Sequence, residues 1–149
     1  MIVRVADEND FHFLVPAVSK MINEIVCPEY ASEDPDVMTA AVKHFLSLEI
    51  IETVVAEEEE IIGFFTVLYS PYQWNPARIC AEEQGVWVHP DASPRTFLRL
   101  LRLVQQRMRE RGVSIAFGKA RDEGPDSIQR IYNILGMKPF QTYYIGEVG

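Results

Sequence analysis

The pattern of apolar and polar positions is most regular over residues 81–121, where it predicts a strand, a turn, a helix and a second strand. The first strand is an apolar run, Gly-Val-Trp-Val, that ends at Val88, and a turn rich in proline and small polar residues follows it. Apolar residues then recur at the spacing of one helix face, at Phe97, Leu100, Leu101, Val104 and Met108. A short apolar run, Val113–Phe117, predicts the second strand.

The limits of this helix are predicted from its capping residues. Ser93 is expected at the N-cap, Pro94 at the first helical position and Gly112 just beyond the last turn. Two strands joined by a helix in this way are expected to lie parallel, with a right-handed crossover. Ligands bind in such a unit beyond the C-terminal end of the first strand, where the amides of the helix N-terminus point outward. The sequence therefore predicts a site around residues 88–96.

The N-terminal part predicts a short strand, Ile2–Val5, and a helix after it. Asp7 or Asn9 can cap this helix. Pro16 falls inside the helical pattern, so it either kinks the helix or marks a later start near Val15.

Two more helices and several strands complete the pattern. A second helix is expected to start near Asp36, after an acidic loop over residues 27–36. Strands at Ile51–Glu57 and 61–69 form an antiparallel hairpin whose second strand is apolar on both faces and therefore central. Residues 70–78 are predicted to be a loop rich in aromatic residues and prolines.

The chain closes with a helix that is capped near Ser127 and ends at Gly136, followed by a strand or hairpin over residues 138–148. The order of elements is then β-α-α-β-β-β-α-β-α-β. This order predicts an α/β fold with a mixed sheet and helices on both faces, formed by a single domain of residues 1–149.

Composition narrows the class of protein. The 149 residues are 48% hydrophobic, which is enough for a core without disulfides or metals. The longest uncharged stretch, residues 61–77, is interrupted by Gly, Pro and polar residues, and the N-terminus lacks a signal pattern, so a cytoplasmic protein with no membrane partner is expected. Cys27 and Cys80 lack Cys or His neighbours at metal-ligand spacing, and neither a disulfide nor a metal site is predicted.

The charge is acidic overall but unevenly distributed. A net charge of −8 argues against general affinity for nucleic acid. Six of the fourteen basic residues nevertheless lie on or beside the central helix, at Arg95, Arg99, Arg102, Arg107, Arg109 and Arg111. The first three are spaced by four and three residues and form a cationic stripe that rises from the N-terminal end. This stripe either binds phosphate or is the solvated face of a helix in which arginine is a good helix former.

Two short motifs add to the pattern: one lies at the end of the last helix, and the other lies at the end of the strand before the predicted site. Residues 131–137 read Ile-Tyr-Asn-Ile-Leu-Gly-Met and residues 86–90 read Val-Trp-Val-His-Pro. The first is similar to the Leu-Tyr-x-x-Leu-Gly-Phe motif of the GNAT superfamily of N-acetyltransferases. The second resembles the strand ending in Val-x-Pro before that family's pyrophosphate loop. The element order resembles the family over essentially the whole chain, but residues 93–98 lack the two glycines of the loop. Similarly divergent GNAT-like chains occur in bacteriophages.

The resemblance implies transfer of an acetyl group from acetyl-CoA to an amine of a small molecule or a protein. Without the glycines, backbone amides approach the pyrophosphate less closely, and the side chains of Ser93, Arg95 and Thr96 would offset part of the loss. The backbone of the strand end would pair with the pantetheine arm. The cofactor-binding residues implied in this way are Trp87, Val88, Ser93, Arg95, Thr96, Phe97, Leu98 and Arg99.

Two catalytic residues are carried over from the resemblance. Tyr132 lies four residues before Gly136 and matches the family's acid for the leaving thiolate, although it also falls on the apolar helix face and can be a core tyrosine. Glu82 resembles the general base of some members, and its alternative is a surface carboxylate. Strand alternation places Glu82, Gln84, Val86 and Val88 on one face and Glu83 on the other.

The acceptor side is expected to be formed by the loops, with Tyr72, Trp74 and Tyr30 as substrate-binding residues. His89 lies beside the cofactor site without a recognisable metal partner. Three functions remain open: an N-acetyltransferase, a catalytically inactive GNAT-like scaffold that engages a protein partner, and an acidic mimic of nucleic acid, which the cationic stripe disfavours. A homodimer is also left open.

Overall fold

The computed structural model describes residues 1–24, 31–119 and 127–138. The chain divides into two compact units, Met1–Phe117 and Gly118–Gly149. Among the described residues, the first unit contains five strands, a short 3-10 turn and three α-helices, and the second contains one α-helix. In chain order they are β1 (Ile2–Val5), α1 (Phe11–Glu24), α2 (Pro35–Ser47), β2 (Ile51–Glu57), β3 (Ile61–Tyr72), β4 (Asn75–Val88), α3 (Arg95–Glu110), β5 (Val113–Phe117) and α4 (Ser127–Ile134).

The start of α1 is fixed by one of the two predicted caps. The carboxylate of Asp7 accepts the N–H of Asn9 at 2.7 Å, and the carboxylate of Asp10 accepts the N–H of Asp7 at 2.8 Å. This capping box closes a single 3-10 turn that leads directly into α1 at Phe11. Pro16 lies inside the helix, so the later start that the sequence left open is wrong.

The first unit is organised on a five-stranded sheet in the order β1-β2-β3-β4-β5. The pairs β1–β2, β2–β3 and β3–β4 are antiparallel. Strands β4 and β5 are parallel, as predicted for two strands joined by α3. The mixed sheet and the order of elements through α4 are therefore confirmed. The strand or hairpin predicted after α4 lies outside the described residues beyond Lys138.

The loop predicted over residues 70–78 is wrong. Strand β3 continues to Tyr72 and β4 already begins at Asn75, with a turn between them at Gln73 and Trp74. The prolines of this stretch suggested a loop, but the pairing here is irregular and jumps from Pro71 opposite Ile79 to Tyr72 opposite Asn75. Proline is tolerated at such an irregularity because no regular ladder hydrogen bond is lost there.

Both faces of the sheet are covered, as predicted. Phe64 and Phe65 are neighbours on β3 and point to opposite faces. Phe64 packs against Trp87 beneath α1 and α2, with ring centroids 6.3 Å apart. Phe65 packs against Phe97 of α3 at 6.3 Å. We call these two sides of the sheet the α1 face and the α3 face.

The ends of α3 differ slightly from the prediction. The helix begins at Arg95 with Pro94 as its N-cap, one residue later than expected, and the hydroxyl of Ser93 accepts the N–H of Arg95 at 3.3 Å. Gly112 follows the last turn with φ of 69°, in the left-handed region that glycine adopts without strain. The C-terminal limit is confirmed.

Helix α4 of the second unit is also followed by a glycine in the left-handed region. Gly136 has φ of 77°, and the N–H of Met137 donates to the carbonyl of Tyr132 at 3.0 Å, which confirms Gly136 as the helix stop. In the described ranges, no helix combines the length and the apolar character needed to span a bilayer.

Candidate active site

The most informative feature of the first unit is the place where β4 and β5 separate. Strand β5 pairs with β4 only from Ile79 to Glu82, and its last residue, Phe117, lies opposite Glu82. Strand β4 continues to Val88, where it is still paired with Gly63 of β3. Among the described residues, no strand pairs with β4 beyond Glu82 on the side of β5, and we call this opening the gap.

A β-bulge lies at the start of this gap. Thr66 pairs with Gly85 and Val67 pairs with Glu83, so Gln84 is an extra residue in β4. A bulge re-aims the side chains that follow it. The one sequence signal for it is Gly85, because an isolated glycine in a strand is typical of a bulge.

The bulge overturns the predicted alternation along β4. Glu82 lies opposite Leu68, on the α1 face, whereas Val86 lies opposite Phe65, on the α3 face. Glu82 and Val86 therefore do not share a face. Glu83 is buried on the α3 face, opposite Val67. The base candidate Glu82 remains half-buried on the opposite side of the sheet from α3.

Glu82 has aromatic neighbours on the same face. Phe117 lies beside it on β5, and the ring of Tyr72 is 6.1 Å from the ring of Phe117. Phe117 thus lies between Tyr72 and the base candidate, and the role of Tyr72 in acceptor binding stays a prediction. Trp74 is 77% exposed in the hairpin turn, and its place in an acceptor pocket stays a prediction. Tyr30 lies outside the described residues.

At the end of β4, the backbone N–H and C=O groups point alternately toward β3 and toward the gap. The N–H of His89 donates to the carbonyl of Ile62 at 2.8 Å, so its backbone faces β3. By the alternation of an antiparallel ladder, Trp87 also faces β3, and the N–H and C=O of Val88 face the gap. The prediction that the Trp87 backbone pairs with a pantetheine arm is therefore wrong. The indole of Trp87 is buried, and its N–H donates to the carboxylate of Glu24 at 3.4 Å.

The loop before α3 already uses several of its own donors. The carbonyl of Ser93 accepts the N–H of Thr96 at 2.8 Å, and the imidazole Nδ1 of His89 accepts the N–H of Asp91 at 3.2 Å. The Thr96 side chain is fully buried, with its hydroxyl donating to the sulfur of Met1 at 3.4 Å. The prediction that this hydroxyl binds phosphate is therefore wrong. Phe97 likewise packs in the core, while Leu98 is partly exposed.

The cationic stripe is exposed at the same place. Arg95, Arg99 and Arg102 lie on the solvent side of α3. In the part of the chain that the structure describes, none of their side chains makes an ion pair or a hydrogen bond. Three guanidinium groups and a helix N-terminus therefore lie together beside the end of β4, an arrangement that suits a phosphate-bearing ligand.

The other end of α3 has the opposite character. Arg107 donates to the carboxylate of Glu52 at 2.8 and 3.1 Å, and Arg111 donates to it at 3.2 Å. Tyr69 adds a hydrogen bond from its hydroxyl at 3.2 Å. Burial favours a raised pKa for Glu52, but the hydrogen bonds and charges of the two arginines outweigh it, so its pKa lies below the ordinary value. Burial, followed by the charge of Glu52, raises the pKa of Tyr69.

This buried cluster was missed in the sequence. Two signals were present: Glu52 stands next to the apolar run Val54–Ala56 of its strand, and Arg107 and Arg111 are four residues apart on one helix face. Neither signal says that the helix and the strand face each other, so the cluster follows only from the fold.

Comparison with solved structures decides the fold. No protein-family model matches the sequence, and no curated protein is significantly similar to it. A ribosomal-protein-alanine N-acetyltransferase from Brucella melitensis biovar Abortus 2308 is 14% identical and covers 99% of this chain and 100% of its own, with a TM-score of 0.74. A transcriptional regulator from Bacillus halodurans C-125 is 22% identical over 99% of both chains, with a TM-score of 0.79. An aminoglycoside N-acetyltransferase in complex with CoA is 13% identical over 99% of this chain and 93% of its own, with a TM-score of 0.75.

The chain has the GNAT acetyltransferase fold. At these identities the likeness shows the fold alone, and it confirms the fold that the sequence motifs implied. One of the three proteins carries the name of a regulator, so GNAT-like architecture by itself does not decide catalysis. The phage-like origin suggested by the divergent loop stays a prediction.

Tyr132, the acid expected from the GNAT motif, lies in the second unit. It is buried, and a Cβ placed on Gly118 would lie 2.6 Å from its ring, so the ring rests directly on that glycine. Such packing is typical of a core tyrosine and also holds a catalytic phenol in one orientation. Its catalytic role stays a prediction.

Proposed function

We propose that this protein is an N-acetyltransferase that moves an acetyl group from acetyl-CoA to an amine of a small molecule or a protein, in the cytoplasm. The observation that carries the proposal is the gap between β4 and β5, which begins at Glu82 and ends beside the cationic stripe. A cofactor with phosphates at one end and a reactive thioester at the other matches this arrangement of charge and backbone.

The phosphates of acetyl-CoA would bind at the N-terminus of α3. Ser93, Arg95 and Arg99 are the side chains there, and Leu98 is exposed next to them. The amides of Arg95 and Thr96 already bond to Ser93, so guanidinium charge supplies more of the binding than backbone amides do. This division of roles fits a loop that has no glycine.

The pantetheine arm would run along the gap. Val88 presents backbone groups to it, and the distance from there to Glu82 along the strand is roughly 20 Å at about 3.3 Å per residue. Because the gap closes at the pair formed by Glu82 and Phe117, an arm that enters at Val88 brings its thioester end to Glu82.

Glu82 would then act as the base, directly or through a water molecule. The carboxylate takes a proton from the ammonium of the acceptor, and the freed nitrogen lone pair forms the bond to the carbonyl carbon. The C–S bond breaks, Tyr132 donates the proton that the departing thiolate needs, and the excess proton on the acylated nitrogen passes to the phenolate, so that a neutral amide and CoA thiol are the products. Holding both reactants in one gap supplies the proximity that the bimolecular reaction lacks in water.

A second function has its own supporting observation. The donors of the loop before α3 are engaged with Ser93 and His89, and the two glycines of the GNAT loop are missing. A protein in which the loop has closed on itself would use the fold as a scaffold for a protein partner or for a second copy of the chain. Cofactor binding separates the two functions.

The test is calorimetric titration with acetyl-CoA of the wild type, Arg95→Ala and Arg109→Ala. Both arginines are exposed on α3, and Arg109 lies at its other end, roughly 20 Å from Arg95 at 1.5 Å per residue. Arg95→Ala should weaken binding by about 1–2 kcal/mol, less at high salt, because a charge-assisted contact is lost. Arg109→Ala should bind like the wild type.

Two results would count against the enzyme. Absence of saturable binding at millimolar acetyl-CoA would leave only the scaffold. An equal loss in both variants would mean that α3 attracts the cofactor by overall charge and that the phosphates do not bind at its N-terminus.

A further inference from the structure

We propose that His89 is a positioning residue for acetyl-CoA: its imidazole holds the loop of residues 90–94 in the conformation that presents Ser93 and Arg95 to the phosphates. The inference rests on the proposed acetyl transfer and adds a residue to the cofactor site. It follows from the hydrogen bonds that His89 makes at the end of β4.

His89 is itself held by β3 and by Trp87. Its N–H donates to the carbonyl of Ile62 at 2.8 Å. Its ring meets the buried indole of Trp87 in a T-shaped contact, with the ring centroids 5.8 Å apart and the planes at 84°. Backbone and ring of His89 therefore have a defined orientation at the start of the loop.

Two acceptors of His89 close the turn that follows. Its carbonyl accepts the N–H of Ala92 at 2.9 Å, which is the bond of a β-turn with Pro90 at a position that proline favours. Its Nδ1 accepts the N–H of Asp91 at 3.2 Å. The ring nitrogen thus has the role of the side-chain oxygen in an Asx-turn, which accepts the N–H two residues further along the chain.

The loop is ordered by hydrogen bonds more than by burial. Four of its five residues are exposed, and its two prolines have no N–H to donate. Ser93 closes the next turn, because its carbonyl and its hydroxyl accept the N–H groups of Thr96 and Arg95. The position of Ser93, and with it the start of α3, therefore depends on the turn that His89 closes.

The hydrogen bond to Asp91 requires the neutral ring. A neutral histidine whose Nδ1 accepts a hydrogen bond carries its proton on Nε2. A protonated ring has an N–H at both nitrogens and cannot accept from the Asp91 amide, whose own carboxylate lies 4.0 Å from Nδ1. The ordering role therefore does not depend on a positive charge at His89.

The first test is the tautomer of His89, measured from the ¹⁵N shifts of its ring at about pH 8 without ligand. The signals are assigned by their loss in His89→Asn. We expect an acceptor-type shift at Nδ1 and the proton on Nε2. A proton on Nδ1, or exchange of the proton between the two nitrogens, would overturn the inference whatever the protein does with acetyl-CoA.

The second test is calorimetric titration with acetyl-CoA at about pH 8. His89→Ala should weaken binding by roughly three- to tenfold, because one hydrogen bond that orders the loop is lost and a smaller fraction of the protein is competent to bind. The loss should persist at high salt, because no charge is removed. His89→Asn should bind within about twofold of the wild type, because its side-chain oxygen accepts the same N–H.

Two variants serve as controls, and all variants should melt close to the wild type. His89→Gln places its polar group one bond further from the backbone, near the position of Nε2, and should bind as weakly as His89→Ala. Asp91→Asn removes the exposed carboxylate but keeps the N–H, and it should bind like the wild type.

The outcomes separate this inference from the proposed function. If the wild type binds acetyl-CoA, then unchanged affinity in His89→Ala, or failure of His89→Asn to retain binding, would overturn the positioning role and leave acetyl transfer intact. Rescue by glutamine in place of asparagine would do the same, because it would assign the contact to Nε2. Absence of saturable binding to the wild type would overturn acetyl transfer and the role of His89 together.

Discussion

Replacing Glu52 by glutamine should destabilise the protein more than any other removal of a single charge from α3 or its partners. The Glu52 side chain is 7% exposed and accepts hydrogen bonds from Arg107, Arg111 and Tyr69. Glutamine keeps the shape, but it removes the negative charge and turns an amide N–H₂ toward two guanidinium groups. Both arginines then lose their common counter-charge.

The magnitude follows from the exposure of the partners. Breaking a fully buried ion pair from one side costs about 3–5 kcal/mol, because a charge is left buried without compensation. The side chains of Arg107 and Arg111 are 32% and 35% exposed, so water takes over part of the lost interaction. We therefore expect a loss of about 3 kcal/mol or somewhat less, which lowers the melting temperature of a chain of this size by roughly 6–12 °C.

The same network sets a dependence on pH. The pKa of Glu52 lies below its ordinary value of 4.5, because Arg107 and Arg111 outweigh the effect of burial. The unfolded chain therefore takes up this proton at a higher pH than the folded one. The stabilisation is complete above the ordinary pKa and is lost as the pH falls through the lowered one. Asp10, whose pKa is lowered first by its hydrogen bonds from Arg4, acts in the same direction.

The assay is thermal unfolding followed by circular dichroism between pH 7 and pH 3, on the wild type, Glu52→Gln and Glu110→Gln. Glu110 also pairs with Arg107 but is exposed, so its variant changes the charge equally and should melt close to the wild type. Glu52→Gln should melt lower at pH 7 and lose less stability on acidification. A Glu52→Gln protein that melts like the wild type at pH 7, or that keeps the full acid dependence, would refute this account.

Three further predictions concern the candidate site. Glu82→Gln should lower acetyl transfer by roughly 10²–10⁴-fold at unchanged acetyl-CoA affinity, because the base is lost; a rate within a few-fold of wild type would exclude it as the base. Tyr132→Phe should lower turnover by roughly a hundredfold with an unchanged melting temperature if the phenol is the acid, whereas a loss of about 1 kcal/mol in stability at full turnover would identify a core tyrosine. Thr96→Val should bind acetyl-CoA like the wild type in the calorimetric titration, because its hydroxyl faces Met1; a clear loss of affinity would place that hydroxyl at the phosphates after all.

The elements that were predicted correctly are those with a local cause. The apolar spacing along α3, the cap at Asp7 and the glycine stops at Gly112 and Gly136 each depend on residues within one or two turns. Strand β1 and the first hairpin follow from short apolar runs in the same way. Their prediction needs no knowledge of which elements are neighbours in space.

The errors arose where pairing between strands decides the structure. Gln84 is displaced into a bulge because Thr66 and Val67 of β3 pair with Gly85 and Glu83, and no rule of period 2 contains that information. One extra residue was enough to move Glu82 to the α1 face. The prolines of residues 70–78 suggested a loop where the chain forms a hairpin, because an irregular pairing accommodates them between the two strands.

One error could have been avoided from the sequence. Thr96, Leu100 and Val104 are spaced by four residues, so Thr96 belongs to the buried face of α3, as the structure shows. Its hydroxyl was assigned to phosphate because of its distance along the chain from the strand end. Helix phase is the stronger guide, since it fixes the direction of a side chain.

The arginines of α3 show how far composition alone can be interpreted. In the sequence only the spacing of Arg95, Arg99 and Arg102 distinguished them from the other three arginines of this helix. The fold places Glu52 opposite Arg107 and Arg111, and their charge is compensated inside the molecule. No described acidic side chain does the same for Arg95 and Arg99. A charge that is paired within the fold stabilises it, whereas a charge left exposed at a helix N-terminus beside a strand end contributes to binding when an anion arrives. The position of a single buried carboxylate on β2 therefore determines which end of α3 is structural and which end is available to a ligand.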